Sequence, residues 1–392
     1  MSEEHINAAL SATGLKVSVI GIGNAGGQVA LAAAKKSIPV FVMNTSVKDL
    51  DDKVLSGPIK CYQIGDGRGS GKNRDNAMEL LKTNGNSSIK DIFVNPYFKQ
   101  TVEPADIVFV TFSTAGGTGS GIGPTMARMI HQAYKNKVVI PYGILPKNVE
   151  SVMGQSNTIA CVDDMTACGT PYMLSDLSFY ENESQEVSFK KIGEYMAETM
   201  CVIRGDYLKM SASGMADERD MLTIISEPGY MTVHMKDGIT EQMLSGKTLQ
   251  GYLVDEVKSS PACRIQRDGL LQYSLLISNV NSSVSDPMKI GDYQELYDFI
   301  GEPKATYANY AVDDSQTEFQ VISITSGLTI PMDRFTTARA KIKQHKDKFE
   351  SKSALNLSDD REKFGVKGND DTKNIIMGSQ KKSEADLSFL DD

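Results

Sequence analysis

Thirty-three glycines in 392 residues is an ordinary number, but 13 of them crowd into three short runs, at 21–27, 65–71 and 116–123. The first run follows the apolar stretch Lys16–Ile20, and the third follows Ile107–Thr111. Each leads into a segment that reads as a helix: residues 28–35 after the first, and Met126, Met129, Ile130, Ala133 and Tyr134 at helical spacing after the third. Strand, glycine turn and helix in that order make the βα unit of a parallel sheet. Short apolar runs at 40–43 and 138–140 add strands, and 73–82 adds a helix. In open parallel sheets ligands bind at the carboxyl ends of the strands, where all three glycine runs fall.

Composition narrows the class. Hydrophobic residues make up 40% and charged residues 23%, a globular balance. With 41 basic and 50 acidic residues the net charge is −9, which argues against broad attraction to nucleic acid or an anionic membrane. Cys61, Cys161, Cys168, Cys201 and Cys263 form no C-x-x-C pair, and the four histidines form no cluster, so neither structural zinc nor a disulfide framework is expected. The opening MSEEHINAAL lacks a basic segment and long apolar run, and no stretch approaches 18 apolar residues. The expectation is a cytoplasmic protein without a membrane span.

The pattern divides the chain. A nucleotide-binding domain is predicted over 15–183 and a long central helix over 184–204, where Phe189, Ile192, Met196, Met200 and Ile203 share one face. A loop and helix follow at 205–230, then an α+β domain at 231–333. In that domain strands are predicted at 271–280, 306–312 and 317–325, with helices near 239–257 and 292–300. Residues 334–350 read as a helix carrying Arg334, Arg339, Lys341, Lys343, Lys346 and Lys348, and 351–392 as a flexible tail ending in an acidic segment.

Each glycine run has a chemical meaning. Gly21, Gly23 and Gly26 fit the dinucleotide pattern G-x-G-x-x-G, with Asn24, Ala25, Gly27 and Gln28 completing the turn. A nicotinamide-dependent oxidoreductase should also carry an acid at the end of its second strand; Asn44 and Thr45 stand there instead. The run Thr114, Ala115, Gly116, Gly117, Thr118, Gly119, Ser120 joins a strand to a helix, and its backbone N–H groups and hydroxyls suit an anion. The middle run, with Gly67, Arg68, Gly69, Gly71 and Lys72, falls short of a Walker A loop. No glycine stands five before Gly71, and Asn73 follows Lys72. Three phosphate-type loops on one sheet suit a triphosphate better than a dinucleotide.

The order of these motifs resembles the tubulin/FtsZ superfamily of filament-forming GTPases, over roughly residues 16–333. GIGNAGG at 21–27 is similar to its first phosphate loop, NTSVKDL at 44–50 to its second, and IGDGRGSGKNRDNA at 64–77 to its loop near the terminal phosphate. AGGTGSG at 115–121 resembles the signature GGGTGSG, with Ala115 in place of the first glycine. MADERDMLTIISEPGY at 215–230 resembles NxDFADVxxxMSExGY and carries over Asp217 and Asp220. TYANYAVDDSQTEFQVISITSGL at 306–328 resembles the FtsZ strand pair, while SGLTIPMDRF at 326–335, the long terminal helix and the acidic end look closer to the phage and plasmid tubulins of the PhuZ and TubZ type.

The resemblance implies a Rossmann-like α/β GTPase fold, GTP or GDP as ligand with Mg²⁺, and head-to-tail homopolymer filaments. It implies that Asp217 and Asp220 of one subunit orient the attacking water at the nucleotide of the next. The filaments would position or segregate phage or plasmid DNA in a bacterial cytoplasm, with an adaptor or DNA-bound partner at the C-terminal helix or tail. Met215 replaces the family's usual Asn in the interfacial loop. Phe189 matches the aromatic that packs on the base, Gly193 replaces an Asn that reads its edge, and Asp176 lies near the other base-contacting position. An FtsZ-like division GTPase, a scaffold with decayed hydrolysis and a nicotinamide-dependent oxidoreductase stand as alternatives.

Overall fold

The structure, a computed structural model, describes residues 14–55, 59–82, 89–209, 216–265, 271–284 and 293–364. Its strands are β1 (Val17–Ile22), β2 (Val40–Asn44), β3 (Lys60–Gln63), β4 (Ile107–Ser113), β5 (Val138–Leu145), β6 (Pro171–Asp176), β7 (Gly229–Thr240), β8 (Tyr273–Val280), β9 (Ala305–Val312) and β10 (Glu318–Leu328). They form one sheet in the order β3-β2-β1-β4-β5-β6-β7-β10-β8-β9. The six strands from β3 to β6 are mutually parallel. β10 runs antiparallel to both β7 and β8. The halves meet where β6 and β7 pair in parallel at Pro171↔Gly229 and Tyr172↔Tyr230.

The helices are α1 (Gly23–Lys35), α2 (Val47–Leu55), α3 (Arg74–Lys82), α4 (Ile89–Val94), α5 (Pro96–Val102), α6 (Thr118–Ala133), α7 (Val152–Thr166), α8 (Gln185–Arg204), α9 (Glu218–Ser226), α10 (Leu249–Ser259), α11 (Tyr293–Ile300) and α12 (Asp333–Phe364). Strands buried on both faces need apolar side chains in both directions, which explains runs such as Val17–Ile22. On β1, Ile20 and Ile22 join one core with Phe98 of α5 and Met126 and Ile130 of α6. Val19 faces the other way, into a core with Val29 and Ala33 of α1 and the α8 stripe Ile192, Met196, Met200 and Ile203.

Several elements differ from the sequence pattern. α1 and α6 begin inside the glycine runs, at Gly23 and Thr118, so glycine supplies their first turns. The helix expected from 239 starts only at Leu249, and β7 occupies 229–240. Met231, Val233 and Met235 alternate with Thr232, His234 and Lys236, but the turn-like pair Asp237-Gly238 then ends the pattern inside the strand. α12 extends to Phe364, 14 residues past the predicted end. Met215 and residues 365–392 lie outside the described residues.

The topology fixes where a ligand fits. From β1 the chain moves outward through β2 and β3, then crosses back to β4 on the opposite side of β1. The switch point is therefore the crevice between the carboxyl ends of β1 and β4. The first and third glycine runs leave those two strands.

Candidate functional site

A cavity of about 620 Å³ lies in that crevice. Gly23, Asn24 and Ala25 line it from the first glycine run, Asn44 and Thr45 from the end of β2, Gly69 and Gly71 from the middle run, and Ala115 to Gly119 from the third. Phe189 closes one side together with Leu177. All three runs thus reach one space, although 37 residues separate the first from the middle one and 44 the middle one from the third.

Local geometry explains why glycine is needed. In the middle run Gly65, Gly67, Gly69 and Gly71 all have positive φ, between 63° and 86°, and Lys72 follows at 60°. Alternate left-handed residues curl the loop tightly, and a side chain at those positions would be strained. At Gly26 the constraint is space: a Cβ there would collide with the carbonyl oxygen of Thr111 on β4. The missing side chain lets α1 lie directly on the sheet.

Hydroxyls tie the loops together. Thr118 Oγ1 lies 2.6 Å from Thr45 Oγ1 and 3.1 Å from Ser70 Oγ. The side-chain nitrogen of Asn157 on α7 is within hydrogen-bond distance of the carbonyls of Lys72 (3.0 Å), Ala115 (3.1 Å) and Gly116 (3.2 Å). Thr114 donates to the Ile144 carbonyl, and Ser120 to that of Gly116. These last two are buried and build the loop rather than face the cavity.

Electrostatics favour an anion. α5, α7, α8, α9 and α10 each begin with a side-chain cap, from Asn95, Ser151, Ser184, Asp217 and Thr248. α1 and α6 have no side-chain cap and no acid in the first turn, and both start at the cavity. Their orphan N–H groups and positive dipole ends converge on one volume, which suits phosphate oxygens. Lys72 adds a cation, 3.5 Å from Glu150. Burial pushes the Glu150 carboxyl up, but hydrogen bonds from Ser151 and the nearby Lys72 ammonium outweigh this and hold it below its ordinary value. Among the described residues no group of three or more His, Cys, Asp or Glu side chains could hold a metal ion. A Mg²⁺ here would therefore depend on phosphate oxygens for most of its ligands.

Other expected residues lie elsewhere. Gly21, Gly26, Gly27 and Gln28 form the turn and first turns of α1 behind the lining. Gly67 and Arg68 are also outside it; Arg68 is 87% exposed and sits 3.5 Å from Asp66. Asp176 does not line the cavity. Along β6 Ser175 bonds Tyr142 on one face, so Asp176 projects to the other, where Arg334 of α12 grips its carboxylate with two nitrogens. Gly193 packs α8 against α1, where a Cβ would stand 3.5 Å from the Gln28 carbonyl.

Asp217 and Asp220 are not at the cavity either. α8 starts beside it, at Gln185 and Phe189, and runs 20 residues, about 30 Å, to Arg204. Arg204 bonds the carbonyl of Lys36, past the far end of α1. α9 follows, with Asp217 and Asp220 as its capping box: each carboxylate accepts the other's backbone N–H. The lining residues Lys147, Val149, Glu150 and Gln185, and the clamp Asn157, carry no motif that marks them in the sequence.

Known proteins resemble this chain over the same region. The model for the Tubulin/FtsZ family, GTPase domain, matches residues 16–175. The tubulin-like protein TubZ of Clostridium botulinum C phage is 29% identical over 225 residues, 54% of this chain and 57% of that protein. The tubulin-like protein CetZ of Pyrococcus horikoshii is 22% identical over 335 residues, 80% of this chain and 86% of that one. The GTPγS-form protofilament of TubZ from Bacillus thuringiensis serovar israelensis superposes with a TM-score of 0.72 at 13% identity, covering 89% of this chain and 98% of that one. Residues 16–175, which build the β1–β4 crevice and its glycine loops, match the GTPase domain of the tubulin/FtsZ family.

Proposed function

We propose that this chain is a GTP-dependent filament protein of the phage or plasmid tubulin kind, hydrolysing GTP at the contact between successive subunits. The observation that supports it is that the acidic pair lies outside the phosphate-type cavity of its own subunit. The cavity lies at one end of α8, and the exposed Asp217 with Asp220 follows the other. Head-to-tail stacking of copies would bring these halves together, and a heterologous contact of that kind extends into an open filament. The Bacillus TubZ structure is a protofilament, which supports self-assembly in a relative of the same fold.

In this scheme the uncapped starts of α1 and α6 hold the phosphate chain, and Phe189 offers an apolar face to the base. Mg²⁺, when bound, would neutralise charge on the phosphate oxygens. Asp217 and Asp220 of the neighbour would orient a water toward the terminal phosphate. A filament that moves or anchors phage or plasmid DNA in a bacterial cytoplasm is the role the TubZ relationship suggests. The basic face of α12 is then the natural place for an adaptor.

The test is phosphate release across a protein dilution series, with assembly followed by light scattering. Turnover per subunit should rise steeply above one concentration. Turnover that is constant across the series would remove the interfacial mechanism.

A further inference from the structure

The cavity touches more than its own domain. The segment after β5 lines it with Pro146, Lys147, Val149 and Glu150. That segment is held from two sides. On one, Glu181 accepts the backbone N–H groups of Asn148 (3.0 Å) and Val149 (3.3 Å), and Lys147 Nζ donates to the Glu183 carbonyl (2.6 Å). On the other stands α12. Arg334 in its first turn donates to the Pro146 carbonyl at 2.6 Å while gripping Asp176, and Lys341, two turns on, donates to the Asn148 carbonyl at 2.6 Å.

Arg334 and Asp176 are both largely buried, at 15% and 12% side-chain exposure. Asp176 also accepts the backbone N–H of Ser178, so it fixes the turn that carries Leu177 into the cavity wall. The guanidinium thus sets two stretches of that wall at once, Pro146 by its carbonyl and Leu177 through Asp176. The far end of the same segment, Glu150, meets Lys72 of the middle glycine loop. A continuous polar path therefore runs from the C-terminal helix to the phosphate side of the cavity.

α12 is anchored over a short length. Phe335 and Ala338 are buried and Ile342 partly so, while residues 343–349 are all exposed. Whatever engages the exposed basic face of α12 would therefore act on a helix held mainly at its first turns.

We infer that Arg334 is a positioning residue for the nucleotide cavity, and that α12 and bound nucleotide are energetically coupled through it. The inference rests on the cavity being the nucleotide site. Coupling is reciprocal: if docking of α12 tightens the cavity, nucleotide must tighten the docking of α12. Removing Arg334 alone also leaves Asp176 buried without its cation, so loss of fold has to be separated from loss of coupling.

The experiment measures GTP binding by full-length protein below its assembly concentration, using a fluorescent GTP analogue, together with thermal melts. Wild type is measured first. If it binds no GTP, the assignment of the cavity fails; if it binds and the variants match it, only the coupling fails. Arg334→Ala and the exposed-site variant Lys341→Ala should each weaken binding, the first by about fivefold or more, within the usual span of coupling between sites. Lys341→Ala should do so with an unchanged melting temperature. Arg334→Lys should restore only part of the loss, because an ammonium cannot match the forked contact to Asp176 and Pro146. Amide hydrogen exchange gives the reciprocal readout: residues 334–342 should exchange more slowly with GTP bound. Equal exchange with and without GTP, or unchanged affinity in Lys341→Ala, would overturn the inference even if Arg334→Ala fails to fold.

Discussion

The backbone N–H of Asp220 donates to the Asp217 carboxylate at 2.9 Å, while the N–H of Asp217 donates to the Asp220 carboxylate at 3.2 Å. The two acids proposed for hydrolysis therefore also start α9, and each capping bond occupies one carboxylate oxygen. Structure and chemistry can be separated by substitution. Asn caps a helix about as well as Asp, whereas Ala costs about 1 kcal/mol. Asp217→Asn should keep wild-type urea stability and still assemble, yet lose most phosphate release. Asp217→Ala should lose both turnover and about 1 kcal/mol. Full turnover in Asp217→Asn filaments would end the catalytic assignment.

Gly26 is the test of how α1 sits on the sheet. A methyl group there meets the Thr111 carbonyl, which is backbone and cannot swing away. Gly26→Ala should cost about 1–3 kcal/mol by overpacking and displace the start of α1. GTP affinity should fall with it. Gly116, where a methyl group would meet no heavy atom within 4 Å, is the contrast: Gly116→Ala should leave denaturant stability within about 0.5 kcal/mol.

Base recognition should depend on Phe189 and not on a direct contact from Asp176. Phe189→Ala removes an aromatic wall and should weaken GTP binding by about tenfold, roughly 1.4 kcal/mol. Asp176→Asn should weaken GTP and ATP alike, since that carboxylate faces Arg334 across the sheet from the base side. A selective loss of GTP in Asp176→Asn, measured by competition between the two nucleotides, would return Asp176 to the base.

His234 sets an acid limit on stability. Its ring is buried on β7, Nδ1 lies 3.0 Å from Ser260 Oγ, and burial pushes its pKa down from 6.5 to about 4. The neutral ring is the folded form, so the unfolded chain binds the extra proton. Stability from this group is complete above about pH 6.5 and falls as the pH drops toward 4, by about 2 kcal/mol at pH 5. Urea titrations of nucleotide-free protein at about pH 7 and pH 5 should show that loss, and His234→Gln should reduce it. An equal acid loss in the variant would assign the effect to other groups.

Much of the GTPase half was legible because its signals are local. An apolar strand, a glycine turn and a helix announce themselves within about 20 residues, so β1 with α1 and β4 with α6 follow directly. The central stripe from Ile192 to Ile203 was equally plain, because a buried helix face must repeat at about 3.6 residues. The cavity's other wall was not legible. Lys147, Glu150 and Asn157 act through partners far off in the chain, and Asn157 on α7 looks like any polar helix residue until Lys72 and Gly116 are beside it. Asp176 shows the opposite failure: its position suggested a ligand contact, but strand alternation turned it toward Arg334, 158 residues away. β7 escaped notice because its alternation lasts only from Met231 to Lys236 before Asp237-Gly238, a pair that reads as a turn.

The pairing between β6 and β7 has a mechanical meaning. Two residue pairs join them, against seven between β4 and β5 and eight between β8 and β9. The sheet is therefore stitched firmly within each half and basted at one corner between them. At that corner the buried rings of Tyr172 and Tyr230 lie 5.9 Å apart within one core. What ties the halves is therefore side-chain packing more than ladder bonds: both cores cross the seam, one through Tyr172 and Tyr230 and the other from Met196 on α8 to Leu275 and Ile322, so the halves should carry a load as one body.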